Sequence, residues 1–550
     1  MTTAPRTAPL AAKATGGIYG PMDSFPAVVA DRALRTPEKI LLREVSGRSL
    51  TCAAFQDSVL TWAAALQRLG IGAGDRAAVM LSDPIDSLAC WLGLAWLRAV
   101  ETPINLQFHG RMLAYVINDA GAGFIVAAER FLPLIAGVAP ELKAVRTVVV
   151  PDLSRAAPAL PIAVVPGEKF FRGVTPAGGL APPARHDVAT MIYTSGTTGL
   201  SKGVLFPWGL LSDMCDVVAC HFREDEVTYD PFPMFHTSGK SMAQITITAG
   251  GSVVLREHFS TEAFWEDVRR WGCTFTALMP AMAEWLLARP PQPDDGTSSL
   301  RRVSMVPIIP RVEEFKARFR VQVQTNYGLT EGGLPIGTAH FTPDVAENLR
   351  SCGRIGPAYE ARIVDAHDYD VAEGEMGELV LRSTRPWGLM CGYFGRPEAT
   401  AAAWRNGWLH TGDAFSRDAE GNFYFLDRMK DALRRRGENV SLFEIEALVN
   451  EHPDVQQSAA IGVPSELGED DIKICVVARP GVAPAPGALL EEFATRMPRF
   501  MVPRYLECLD ELPRTEATLR VQKAKLREQW RTDRTWDRQA GRFLERDVSG

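Results

Sequence analysis

The chain has 550 residues, 46% of them hydrophobic and 23% charged, the composition of a globular protein with room for about three or four domains. Its net charge of −7, with no long Lys/Arg cluster, argues against nucleic acid as a partner. The nine cysteines, scattered from Cys52 to Cys508, include no C-x-x-C pair, so neither a zinc site nor a disulfide framework is expected, and reduced thiols of a cytoplasmic protein account for them.

Residues 1–20 are rich in Ala, Thr, Pro and Gly and lack the apolar core of a signal peptide, so they read as a disordered lead-in. An amphipathic helix is predicted over 58–69 and strands over 76–81, 123–127 and 146–150. The most apolar run, 88–97, is too short to cross a bilayer and reads as a buried helix, so no membrane contact is expected. Residues 153–185, dense in Pro, Ala and Gly, predict a long surface connection. A strand at 251–255 and a helix at 261–271 continue the alternation, which predicts an α/β domain with mostly parallel sheets over 21–427. From 352 to 427 the texture changes to short strands with Gly-rich turns, as at 374–381. A helix at 442–450 and a strand at 472–478 belong to a smaller α+β unit over 431–528. The tail, 529–550, has weak periodicity and reads as ending in disorder.

The densest chemistry lies at 191–204, Met-Ile-Tyr-Thr-Ser-Gly-Thr-Thr-Gly-Leu-Ser-Lys-Gly-Val. Met191, Ile192 and Tyr193 fit the end of a buried strand. The residues that follow offer backbone amides, hydroxyls and one cation to a single point, which suits a polyphosphate. The Walker-type loop is excluded, because Ser201 precedes Lys202 and Gly203 follows it.

This string resembles the phosphate loop of the adenylate-forming superfamily, which comprises acyl-CoA synthetases, aryl-CoA ligases, non-ribosomal peptide adenylation domains and luciferases. Three further stretches, in the family's order, carry the resemblance across nearly the whole chain. Asn326-Tyr327-Gly328-Leu329-Thr330-Glu331 is similar to the adenine and magnesium motif, and Gly407-Trp408-Leu409-His410-Thr411-Gly412-Asp413 to the ribose motif. Asp427-Arg428-Met429-Lys430-Asp431, with Arg436-Gly437-Glu438-Asn439, is similar to the hinge and thioester loop. The resemblance implies a large N-terminal α/β domain with two mostly parallel sheets and a β-barrel-like subdomain at 352–427. It further implies a hinge at 428–430 and a small mobile α+β lid.

The implied reaction is attack of a carboxylate on the α-phosphate of ATP, then displacement of AMP by a thiol, that of coenzyme A above all. Thr194, Ser195, Gly196, Thr197, Thr198, Gly199 and Lys202 would hold the β- and γ-phosphates. Thr330 would contact the α-phosphate and Glu331 would ligate Mg²⁺. Asn326, Tyr327 and Gly328 would serve adenine. Asp413 would accept from the ribose hydroxyls and Arg428 would contact ribose or phosphate. Lys430 matches the hinge, and Gly437 and Glu438 the thioester loop. His236, in Pro231-Phe-Pro-Met-Phe-His-Thr-Ser-Gly-Lys240, would border the acyl pocket, with an acid/base role as a lesser reading. Lys240, at i+4, is either a solvated lysine or a pocket cation that would favour an anionic or strongly polar substrate.

Two departures from the family pattern bear on function. Where the lid normally carries its catalytic lysine, backward matching from Val521 places Arg520, with Lys523 as the fallback. Where small residues usually line the pocket, the run is Ser304-Met305-Val306-Pro307-Ile308-Ile309-Pro310, and its bulk predicts a compact substrate. The leading expectation is therefore an acyl-CoA ligase of compact acids, as in aryl- or carnitine-type ligases. Alternatives are adenylation of a small oxyanion such as nitrite, transfer to a carrier protein, and a catalytically degenerate nucleotide binder. A homodimer also stays open.

Overall fold

The computed structural model describes residues 24–154, 160–194, 201–218, 222–338, 351–429, 433–435, 438–440, 442–465, 470–497, 499, 501–515 and 521–544. The lead-in at 1–20, Ser195, Gly196, Thr197, Thr198, Gly199, Lys430, Gly437 and Arg520 lie outside them, and Glu438 is described through its backbone only.

Two large sheets form the body of the chain. The eight-stranded sheet runs in the order Gly392–Tyr393, Lys202–Pro207, Val188–Thr194, Val100–Pro103, Arg76–Met80, Phe124–Ala127, Thr147–Val150, Ala163–Pro166. From Val188–Thr194 onward its neighbours are parallel. The seven-stranded sheet runs Gln322–Gln324, Arg302–Met305, Phe275–Leu278, Val227–Asp230, Ser252–Leu255, Ile40–Glu44, Ser49–Thr51, antiparallel only at its last pair. Strands such as Phe124–Ala127 are buried at every position, the mark of a parallel sheet covered on both faces.

Helix Pro84–Trp96 is buried along its whole length except at Asp86. Asp83 caps it, accepting from the Asp86 amide at 2.8 Å, and Pro84 supplies a preset first turn. The helix is apolar all round because it has covered neighbours all round. Trp91 stacks on Trp208 at 5.2 Å and donates its indole N–H to the Ala189 carbonyl at 2.7 Å. Helix Cys52–Arg68 crosses it closely: a Cβ on Gly93 would lie 2.8 Å from Trp62 Cβ and 3.0 Å from the Ala63 nitrogen. Gly93→Ala is therefore expected to cost about 1–3 kcal/mol by overpacking, read as a lower melting temperature.

The connection predicted over 153–185 contains an edge strand, Ala163–Pro166, and a short helix, Gly167–Phe171. Four residues sufficed, because the neighbouring strand Thr147–Val150 supplied a template the local sequence does not reveal.

A seven-stranded antiparallel sheet follows, in the order Asn326–Leu329, Gly333–Gly337, Ser351–Ile355, Phe423–Arg428, Leu409–Arg417, Gly377–Ser383, Tyr359–Val364. It takes in the strands from Asn326 onward, ahead of the 352 boundary expected from texture. The C-terminal unit carries a five-stranded sheet, Val455–Pro464, Asp470–Ala478, Tyr505–Cys508, Thr535–Asp537 and Arg542–Phe543. The last two lie in the tail, where the weak periodicity did not show them, and residues 545–550 lie outside the described residues. Buried Lys473 holds the two strands in place, donating to the Trp530 carbonyl, Thr535 Oγ1 and Glu507. Trp536 adds an edge contact to Phe543 at 5.0 Å. Among the described residues no helix is long and apolar enough to cross a membrane.

Candidate active site

The two ends of the phosphate-loop string lie on neighbouring strands. Val188–Thr194 pairs antiparallel with Lys202–Pro207, and the register sets Thr194 opposite Lys202. One helix, Gly110–Asp119, braces both flanks: Tyr193 donates to Asp119 Oδ2 at 2.8 Å, and Tyr115 donates to the Ser201 carbonyl at 2.9 Å. Arg396 reaches the other Asp119 oxygen at 2.5 Å. Tyr115, Asp119 and Arg396 lie outside the four motifs.

Thr330 and Glu331 form the tip of a hairpin between Asn326–Leu329 and Gly333–Gly337. Gly328 lies within the strand. A Cβ on Gly328 would come within 2.8 Å of the Gly333 carbonyl oxygen. Asn326 donates to Ser304 Oγ at 3.1 Å, tying this strand to the end of the parallel sheet. Glu331 Oε1 accepts from the Tyr393 hydroxyl at 2.9 Å, and Lys202 Nζ lies 5.0 Å from the centre of the same ring. Lys202 and Glu331 thus meet across Tyr393.

Asp413 and Arg428 are cross-strand partners, so the register itself aims them at one another, at 2.9 Å. Tyr327 donates its hydroxyl to Asp413. Its ring packs on Phe415 at 4.8 Å and Phe425 at 6.3 Å and is 8% exposed. Most of the aromatic face expected to meet adenine is therefore covered by those two rings, and the hydroxyl orients the carboxylate. Burial first, then Asp413, pushes the Tyr327 phenol well above its ordinary range, so it remains a donor. Glu378, absent from the sequence reading, accepts from the Gly412 amide at 2.9 Å and contacts His410 Nδ1 at 2.9 Å.

Lys523 lies 2.9 Å from Glu446 on helix Leu442–Asn450 and 3.9 Å from Asp427. Asp427 pairs with Ala414, the residue after Asp413, so Lys523 bridges the C-terminal helix to the strand beside the Asp413–Arg428 pair.

His236 caps helix Thr237–Thr248: its Nδ1 accepts from the Ser238 amide at 3.2 Å. That nitrogen is occupied by a structural bond, which weakens the acid/base reading. Lys240 is neither a solvated side chain nor a pocket cation. It is 1% exposed and donates to Glu101 at 2.9 Å, and its ammonium lies 4.1 Å over the Trp91 ring. Thr190 donates to the other Glu101 oxygen at 3.0 Å. Burial pushes the Glu101 carboxyl up and the Lys240 ammonium down, and their mutual attraction opposes both. Met305 is fully buried in the core, with its sulfur accepting from the Ile309 amide at 3.5 Å. Of that run Val306, Pro307 and Pro310 keep exposed surface, so Met305 does not narrow a pocket with its side chain.

Among the described residues, no three metal-capable side chains cluster. Glu331 alone, with one oxygen taken by Tyr393, fits a hard cation that keeps water and brings phosphate oxygens as its other ligands.

The AMP-binding enzyme family matches residues 29–394, and the AMP-binding enzyme C-terminal domain matches 444–518. A crotonobetaine/carnitine–CoA ligase of Escherichia coli is 32% identical over 458 residues, covering 81% of this chain and 87% of its own. An anthranilate CoA ligase bound to anthranoyl-AMP superposes with a TM-score of 0.82 at 24% identity, over 93% of this chain and 97% of that one. The amide bond synthetase McbA of Marinactinospora thermotolerans does so at 0.80 and 26%, over 92% and 99%.

Proposed function

The chain belongs to the AMP-binding enzyme family, and on that premise we propose that it is an acyl-CoA ligase for a compact carboxylic acid. Adenylate formation comes first: the acid's carboxylate attacks the α-phosphorus of ATP and pyrophosphate leaves. The coenzyme A thiolate then attacks the acyl carbon and AMP leaves. Charge moves on phosphate and carbonyl oxygens in both steps, so placed donors and cations carry the catalysis.

The observation that carries this reading is that Lys202 and Glu331 meet on Tyr393, while Tyr327 ties the Asp413–Arg428 pair to the strand that leads into the Glu331 turn. Lys202 and the 194–199 hydroxyls and amides would neutralise the β- and γ-phosphates. Thr330 would bind the α-phosphate. Glu331 would hold Mg²⁺, which supplies charge neutralisation on the polyphosphate when bound. Asp413 would accept from the ribose diol, with Arg428 beside it. Lys430 would be the hinge, Gly437 and Glu438 part of the thioester loop, and Arg520 or Lys523 the lid cation. His236, Val306 and Pro307 would border the acid.

The compact-acid assignment draws on the relatives named for carnitine and anthranilate. The nitrite alternative loses a support, because Lys240 already neutralises Glu101. Pyrophosphate release with aryl acids, betaine acids, short diacids and nitrite, followed by mass detection of the CoA thioester, tests the reading. Release with one of the acids and a thioester product is expected. Release with nitrite alone would overturn it, as would an amide in place of the thioester or no release with any substrate.

A further inference from the structure

Tyr393 lies outside every motif that the adenylating chemistry accounts for, yet it touches two of its charged groups. The two-residue strand Gly392–Tyr393 is stitched to the strand that leaves the phosphate-loop string, Tyr393 pairing with Val204. The Phe394 amide donates to the Gly203 carbonyl at 2.8 Å and the Cys391 amide to the Leu205 carbonyl at 2.9 Å. On its other side the same segment holds the Glu331 turn, the Met390 amide donating to the Glu331 carbonyl at 2.9 Å. Its backbone therefore fixes the spacing between the Lys202 strand and the Glu331 hairpin.

The phenol does the same for their side chains. Its hydroxyl donates to Glu331 Oε1 at 2.9 Å, and its ring faces the Lys202 ammonium at 5.0 Å from the centroid. A carboxylate with one oxygen held by a phenol presents the other in a fixed direction. A cation resting on a ring face keeps its three N–H donors available, since the ring uses charge and not hydrogen bonds.

We infer that Tyr393 is a positioning residue that couples the two: its hydroxyl fixes the free Glu331 oxygen for a phosphate-bound divalent cation, and its ring seats Lys202 for the phosphates. A phenol is a far weaker acid than a carboxyl, so the proton stays on Tyr393 and the bond keeps one direction. The inference rests on the assignment of Glu331 to the cation and Lys202 to the phosphates.

Each half has its own variant in the full-length chain. Tyr393→Phe removes the hydroxyl and keeps the ring, and Tyr393→Leu removes both. Binding is read by calorimetry, with ATP at varied Mg²⁺ and with ATP in EDTA. Circular dichroism melts verify that each variant is folded. Tyr393→Phe is expected to raise the Mg²⁺ needed for half-maximal ATP binding about tenfold, within the range for groups that orient a metal ligand. Its ATP affinity in EDTA should match wild type. Tyr393→Leu is expected to weaken ATP binding in EDTA as well, by about threefold, as Lys202 loses its seat. An unchanged Mg²⁺ requirement in Tyr393→Phe overturns the role of the hydroxyl, and equal EDTA affinities in the two variants overturn that of the ring. Glu331→Gln and Lys202→Ala separate this inference from the reading beneath it. If Glu331→Gln leaves the Mg²⁺ requirement unchanged, or Lys202→Ala leaves EDTA binding unchanged, the underlying assignment has failed. If those variants shift and the Tyr393 variants do not, only the inference has.

Discussion

Lys240→Met alone is expected to lower the stability of the large domain by about 3–5 kcal/mol. Glu101 is 0% exposed, and its neighbours in this region are Trp91, Thr190 and the apolar core. Removing the ammonium leaves a carboxylate that must stay charged without a partner or take up a proton, and both cost free energy. The double substitution Lys240→Met with Glu101→Gln removes both charges and leaves an amide oxygen that Thr190 can still donate to. It should recover most of the loss, since a buried ion pair is worth little against a neutral replacement of similar volume. The urea midpoints of the two variants check this. A single variant as stable as wild type would sink the claim that Lys240 is needed inside the fold. The same pair has a bearing on the site: Lys240 rides the helix that His236 caps, and Thr190 the strand that enters the phosphate-loop string. The ion pair, with the Thr190–Glu101 hydrogen bond, therefore ties the helix that His236 caps to the strand that enters the phosphate-loop string.

Asp413→Asn is expected to raise the KM for ATP by about 100- to 1,000-fold, the value of two charge-assisted hydrogen bonds of about 1.5–3 kcal/mol each, in part retained by the amide. The substitution preserves shape, so Tyr327 keeps an oxygen to donate to. A nucleotide test isolates the ribose contact. Wild type should discriminate strongly against 2′-deoxy- and 3′-deoxy-ATP, while the variant should discriminate little, because the partner of the missing hydroxyl is already gone. Discrimination that is undiminished in Asp413→Asn would show that the ribose is read elsewhere. Arg428 should lose its anchor in the variant, so Arg428→Ala and Asp413→Asn together should cost less than the sum of the two.

The helices and parallel strands of the large domain were legible because burial on both faces leaves a continuous apolar run, as at 124–127 and 147–150. The strands at 163–166 and 535–543 were not, because edge strands owe their conformation to a partner distant in sequence. The four motifs were legible because phosphate and ribose chemistry demands particular residue types at short spacing. Tyr393, Glu378 and Asp119 were invisible for the opposite reason: each is a single residue whose partner lies tens to hundreds of positions away. Glu101 did leave a trace, a carboxylate inside the apolar strand Val100–Pro103, which requires a buried partner.

Lys240 marks the boundary between the two kinds of knowledge. The sequence alone determined the family, the reaction class and the order of the four motifs along the chain. These follow from local residue types, which chemistry constrains wherever the chain happens to run. Only the tertiary structure decided that Lys240 neutralises Glu101 instead of facing a substrate, that Met305 fills the core, and that Tyr393 stands between Lys202 and Glu331. A side chain's charge is written in the sequence, whereas its partner is set by which strands and helices come to lie side by side.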